Sequence, residues 1–203
     1  AMTKTYDDVI QQYFNARPLE RFRFLLQNQT LAQYVSEKLP EVSSVVIADE
    51  QGLAASRAVV TLRHPLARWQ LGQKTYYVDE SGVAFEKNYL APPALSVKDE
   101  SGLPLAAEQI VGSTKMMKFI GQTVGMINRQ GLGTVKELII PPATLKEIDV
   151  VLQDRPYRLR MNVDREPYSQ VGDMANALRY ISAQGITPKY VDLRIPSKAY
   201  YLD

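Results

Sequence analysis

Three neighbouring runs decide how this chain is read: Val135-Lys136-Glu137-Leu138-Ile139-Ile140, Ile148-Asp149-Val150-Val151-Leu152, and Tyr157-Arg158-Leu159-Arg160-Met161-Asn162-Val163. Each is short, rich in β-branched or aromatic residues, and bounded by Pro, Asp or Arg-Pro punctuation, so each reads as a strand. The third alternates strictly, with Tyr157, Leu159, Met161 and Val163 on one face and Arg158, Arg160 and Asn162 on the other. Successive side chains of a strand point to opposite faces, so this is a sheet with one buried side and one polar side.

Working outward, helices flank these strands. Upstream, Ser113 is placed to cap a helix with Met116, Phe119, Ile120, Val124 and Ile127 on one face, closed by Gly131. Downstream, a helix from Val171 to Ala183 buries Met174, Leu178 and Ile181 and ends at Gly185. The chain then reads as a strand from Tyr190 to Ile195, a Pro196-Ser197-Lys198 turn and a terminal strand from Ala199 to Leu202. Shorter strands are expected at 74–78, 83–85 and 94–97.

The first third has a different character. A helix carries Tyr6, Val9, Ile10, Tyr13 and Phe14 and stops before Pro18. A second starts at Thr30, in a capping box with Gln33, and carries Leu31, Tyr34, Val35 and Leu39. Val42–Ile47 and Ala58–Leu62 then form a hairpin across the turn Asp49-Glu50-Gln51-Gly52. The fold class is α+β: a small α/β domain over 1–68, and an antiparallel sheet domain flanked by helices over 69–203.

Composition narrows the chemistry. The 203 residues are 45% apolar and 23% charged, with 24 Lys and Arg against 22 Asp and Glu for a net +2. That even balance argues against a nucleic-acid partner, which needs a basic excess to release counterions. With no cysteine and a single histidine, His64, the chain has no thiol nucleophile, no Cys-built zinc site and no His-rich metal site. His64 sits between Arg63 and Pro65, away from any nucleophile-elbow sequence, and reads as an exposed junction residue. Gly131-Leu132-Gly133 follows a helix and precedes a strand, the wrong order for a phosphate cradle. Asp49-Glu50 and Asp99-Glu100 read as solvated turn carboxylates, whereas acid–base work needs a desolvated carboxyl. Arg155, Arg158 and Arg160 read as part of a mixed-charge sheet surface, and Met116, Met117 and Met126 as core. No catalytic, cofactor or metal site is expected.

By elimination the chain binds or organises something. Tyr200 and Tyr201 lie in a short terminal strand; if it is a sheet edge, its unpaired backbone groups suit an incoming strand. The alternative is that these tyrosines seal the end of the sheet.

Several motifs occur in a distinctive order: Phe22-Arg23-Phe24-Leu25-Leu26 before the helix Thr30–Leu39 and Pro40-Glu41-Val42-Ser43-Ser44-Val45; Arg63-His64-Pro65-Leu66-Ala67; Val78-Asp79-Glu80-Ser81-Gly82-Val83-Ala84-Phe85; and Asp192-Leu193-Arg194. Together they resemble the extracytoplasmic part of the FtsQ/DivIB family of bacterial cell-division proteins over about residues 20–203. Departures are Leu62 where Glu usually precedes the R-x-P motif, Ile195 where an aromatic often follows D-L-R, and Thr3–Thr5, too short for the first strand of a POTRA domain. The resemblance implies a POTRA domain followed by a β domain, on the outer face of the cell membrane at the division septum. It also implies one N-terminal membrane helix ahead of Thr3. It implies a non-enzymatic scaffold that binds FtsB/DivIC-type and FtsL-type coiled-coil proteins, and through them meets the septal peptidoglycan synthase. Carried over to this chain, the partner-binding residues would be Arg194, Ile195, Ser197, Lys198, Ala199, Tyr200 and Tyr201. The rival expectation is a POTRA-containing secretion or outer-membrane assembly component that holds polypeptide along Val59–Leu62.

Overall fold

In the computed structural model, which describes residues 2–49, 56–105 and 110–202, helix α1 (Met2–Ala16) turns Tyr6, Val9, Ile10 and Tyr13 to one side. They meet Leu31 and Val35 of α2 (Asn28–Lys38) and Val42 and Val45 of β1 (Val42–Asp49) in a core of their own. Strand β1 pairs antiparallel with β2 (Ser56–Leu62), as the hairpin reading expects. The turn assigned to Asp49–Gly52 falls largely outside the described residues.

One local expectation fails here. Helix α2 starts after Gln27, whose carbonyl accepts from Leu31 N at 3.0 Å, so Thr30 lies within the first turn and no capping box forms. The Thr30 hydroxyl instead bonds Gln27 Oε1 at 3.1 Å, and Gln33 reaches forward to Glu37 at 3.2 Å.

The chain divides into two units, Ala1–His64 with Phe85–Tyr89, and Pro65–Ala84 with Leu90–Asp203. The second holds the strands β3 (Ala67–Leu71), β4 (Lys74–Val78), β6 (Ser96–Asp99), β7 (Val135–Ile140), β8 (Glu147–Leu152), β9 (Arg158–Asn162), β10 (Tyr190–Asp192) and β11 (Tyr200–Leu202), with β5 (Ala84–Phe85) at the division. Their order is β11-β10-β9-β8-β7-β6-β3-β4-β5. The sheet is mostly antiparallel and flanked by helices, as the fold-class reading expects, while β3–β6, β6–β7 and β9–β10 run parallel. Parallel neighbours need a crossover between them. The helices supply two of these: α3 (Thr114–Arg129) lies between β6 and β7, and α4 (Pro167–Gln184) between β9 and β10.

Both helices cover one face of the sheet. Trp69, Val97, Leu138, Ile140, Ile148, Val150, Leu159, Met161 and Val191 meet Met116, Ile120, Ile127, Val171, Met174 and Ile181 there. The Ser113 hydroxyl caps α3 by accepting from Met116 N at 3.2 Å, as the sequence predicts. Helix α4 starts four residues before the expected Val171 because Pro167 suits the first helical position. Trp69, in the unpredicted strand β3, is fully buried and donates its indole N–H to Asp99 Oδ2 at 3.0 Å. Asp99 is therefore a buried strand-end carboxylate, not the solvated turn residue expected.

Between β4 and β5 the Asp79 carboxylate accepts from Ser81 N at 2.9 Å and Val83 N at 3.0 Å. Gly82 turns with φ +86°, and a Cβ there would stand 2.2 Å from the Gly112 carbonyl oxygen, so both its conformation and its neighbour demand glycine.

Candidate functional site: the C-terminal sheet edge

Strand β10 is laid down parallel to β9, with Val191 opposite Leu159 and Asp192 opposite Arg160. Val191 and Leu193 are fully buried, so Asp192 and Arg194 are left on the opposite, polar face. There Arg194 closes on Asp192, with Nε at 2.9 Å from Oδ1 and Nη2 at 2.6 Å from Oδ2. Its remaining nitrogen, Nη1, reaches over β9 to Glu147 Oε1 of β8 at 2.6 Å. Burial pushes the Asp192 carboxyl up, but the hydrogen bonds from Arg194 outweigh it and hold the group below the usual carboxylate range. The hydrogen bonds to Asp192 push the Arg194 guanidinium well above its ordinary value.

A second pairing underlies the first. Asp149 of β8, directly opposite Arg160 of β9, has no exposed surface and takes a two-pronged bond from Arg160 at 2.8 and 3.0 Å. Arg158 approaches the same carboxylate at 3.7 Å. The Arg160 guanidinium also lies 5.6 Å from the Tyr190 ring centroid, tying β9 to β10. These charges join β8, β9 and β10 across the face the helices leave uncovered.

From Leu193 the chain leaves the ladder and is fastened to α4. Arg165 donates through Nη1 to the Leu193 carbonyl at 2.5 Å and through Nη2 to Asp173 at 3.2 Å. The same Asp173 oxygen accepts from Ser197 N at 3.3 Å. Ser197 has φ +58°, and Lys198 N donates back to Ile195 O at 3.3 Å, which closes the expected turn.

The chain then returns as β11, antiparallel to β10, with Asp192 opposite Tyr200, Val191 opposite Tyr201 and Tyr190 opposite Leu202. Tyr201 therefore shares the helix-covered side with Val191, and Tyr200 and Leu202 share the polar side. β11 ends the strand order, so no described strand pairs with its far side. Tyr200, Tyr201 and Leu202 keep 52%, 39% and 50% of their surface, and Ile195 keeps 47%. An edge with three large exposed side chains offers main-chain bonding and apolar contact together.

Of the sequence-predicted residues, Ile195, Ser197, Lys198, Ala199, Tyr200 and Tyr201 are all exposed along this edge and its lead-in turn. Arg194 is placed differently: it is half-buried and committed to Asp192 and Glu147. It positions the edge rather than reaching out from it. Sequence reasoning missed Leu202, Asp149, Glu147, Arg165 and Asp173. A signal existed for Asp149, an acid inside the apolar run Ile148–Leu152, one hairpin away from Arg158 and Arg160.

His64 is exposed, and Gly131 and Gly133 lie at the end of α3 with positive φ, a helix terminus as expected. Among the described residues no group of three or more His, Asp and Glu side chains is placed to hold a metal ion, and no helix is long and apolar enough to cross a membrane. No protein-family model matches the chain, and no curated protein matches it.

Proposed function

We propose that this chain is a non-enzymatic extracytoplasmic scaffold of a bacterial division complex, of the FtsQ/DivIB kind. It binds FtsB/DivIC-type and FtsL-type coiled-coil proteins by accepting a strand of the partner alongside β11, and so helps to control septal peptidoglycan synthesis. The observation that carries this reading is the position of β11 at the end of the sheet, with Tyr200, Tyr201 and Leu202 exposed on it. The ordered run of family-like motifs supports the choice of partner. The ion-pair ladder behind β10 supports a preorganised edge, which lowers the ordering cost of binding.

The test is a calorimetric titration with the extracytoplasmic segment of the FtsB/DivIC-type protein from the same organism. Saturable binding is expected. Tyr201→Ala, as an anchor substitution, weakens it by about 2 kcal/mol or more, roughly thirtyfold. Lys198→Glu weakens it by up to about 1 kcal/mol, an effect that shrinks with salt. Absence of saturation at high micromolar concentration overturns the reading.

A second reading, a secretion or outer-membrane assembly component, draws on one observation. Val46 and Val59 are cross-strand partners on the β1–β2 hairpin and each keeps 46% of its surface. Binding of unfolded polypeptide that is lost in Val59→Asp and retained in Tyr201→Ala would favour it.

A further inference from the structure

The segment joining α1 to α2 reads Arg17-Pro18-Leu19-Glu20-Arg21-Phe22-Arg23-Phe24-Leu25-Leu26. It is built from two successive 3₁₀ turns, Pro18–Arg21 and Arg23–Leu25, and the first buries none of its residues. Leu19, Phe22, Phe24 and Leu25 keep 67%, 58%, 84% and 44% of their surface. Leu26 turns inward, packing at the margin of the core formed by α1, α2 and the hairpin. The Phe22 and Phe24 rings stand 6.0 Å apart, so these two exposed side chains adjoin, with exposed Leu19 and Leu25 close in sequence. A contiguous apolar patch of this kind marks an interaction surface, whereas scattered exposed hydrophobics do not.

Charge identifies the occupant. The ten residues hold three arginines and one glutamate. That glutamate is compensated within the fold: Tyr13 Oη donates to Glu20 Oε2 at 2.5 Å, and Arg17 Nε stands 3.9 Å from Oε1. The segment is therefore apolar at its exposed tips and carries a cationic excess in its sequence. Phe and Leu bring no polar atom that a protein partner would have to match, and Phe24 projects instead of lining a groove. An anionic bilayer surface accepts apolar tips of any outline and offers phosphates to a segment with a cationic excess.

We propose that residues 17–26 form a membrane-surface contact that seats Leu19, Phe22, Phe24 and Leu25 at the headgroup boundary of anionic phospholipid. The site is remote in sequence from β11, and this inference does not rest on the strand-addition reading.

The test is co-sedimentation of the whole 203-residue chain with vesicles of phosphatidylcholine containing about one-third phosphatidylglycerol, against vesicles of phosphatidylcholine alone. The anionic vesicles should retain the chain at low salt and release it as salt rises. The double substitution Phe22→Ser, Phe24→Ser should weaken retention at least tenfold, and Arg21→Glu several-fold, about the losses that apolar area and one charge imply. These are surface positions; an unchanged thermal midpoint and an unchanged far-ultraviolet circular dichroism spectrum would show the variants folded. Equal retention of wild type and the Phe double variant would overturn the proposal, as would no retention by either. Phe24-dependent self-association without lipid, measured by sedimentation velocity, would assign the patch to a second copy of the chain instead.

Discussion

Asp149 has no exposed surface, and among the described residues Arg160 and Arg158 pair with it. Taking one partner from a buried pair leaves an uncompensated charge, which costs far more than the pair contributes net. Arg160→Ala is therefore expected to destabilise the chain by about 3 kcal/mol in urea unfolding, moderated by Arg158. A loss within a few tenths would show that the ladder is ornamental. Asp192 gives a pH dependence with a definite sign. Its carboxyl is held below the ordinary value, so the unfolded chain takes up the proton first as pH falls. The stabilisation is whole above the unfolded value of about 3.9 and disappears as pH drops through the folded one. Thus the stability difference between wild type and Asp192→Asn should be constant from neutral pH to about 5, then shrink toward pH 2. A difference that grows on acidification would contradict this placement of charge. Sequence alone put Asp192 and Arg194 on one face, because period two requires it, but could not show Glu147 waiting two strands away.

At the scale of elements, period and punctuation made most of the fold legible. Helices α3 and α4 and strands β7 to β10 follow from apolar spacing, and Ser113 caps α3 as read. Ser113→Ala should accordingly cost about 1 kcal/mol of stability, checked by thermal unfolding. What stayed hidden was strand direction and a strand interrupted by charge. Parallel and antiparallel strands alternate identically, so nothing in Ser96–Asp99 or Val135–Ile140 betrays that they run the same way. Arg68 and Gln70 disguised β3, whose inward residues are only Ala67 and Trp69. The candidate edge was half legible. Aromatic residues in a terminal strand suggested it, while its fastening by Arg165 and Asp173 depends on α4 returning to the same end of the sheet. Asp173→Ala loses the bonds from both Arg165 and Ser197 N, and should cost about 1 kcal/mol of global stability. It should still weaken partner binding by loosening the lead-in to β11.

The whole molecule keeps two cores, one around Tyr13, Leu31 and Val35 and one around Trp69, Ile140 and Met161. Among the described residues the two cores share no member. Leu31→Ala, at a position with no exposed surface, should cost about 3 kcal/mol of stability. Below the unfolding temperature, binding at β11 should remain at the wild-type affinity. The even net charge of +2 and the mixed-charge sheet face favour contact by shape and backbone bonding over long-range steering. The proposed strand addition puts the partner on the far side of β11. The most direct measurement is amide hydrogen exchange across the sheet, with and without the FtsB/DivIC-type segment. If a strand adds there, the amides of Tyr200–Leu202 should gain protection while those of the β1–β2 hairpin exchange as before. Protection confined to that hairpin, with β11 unchanged, would contradict the account.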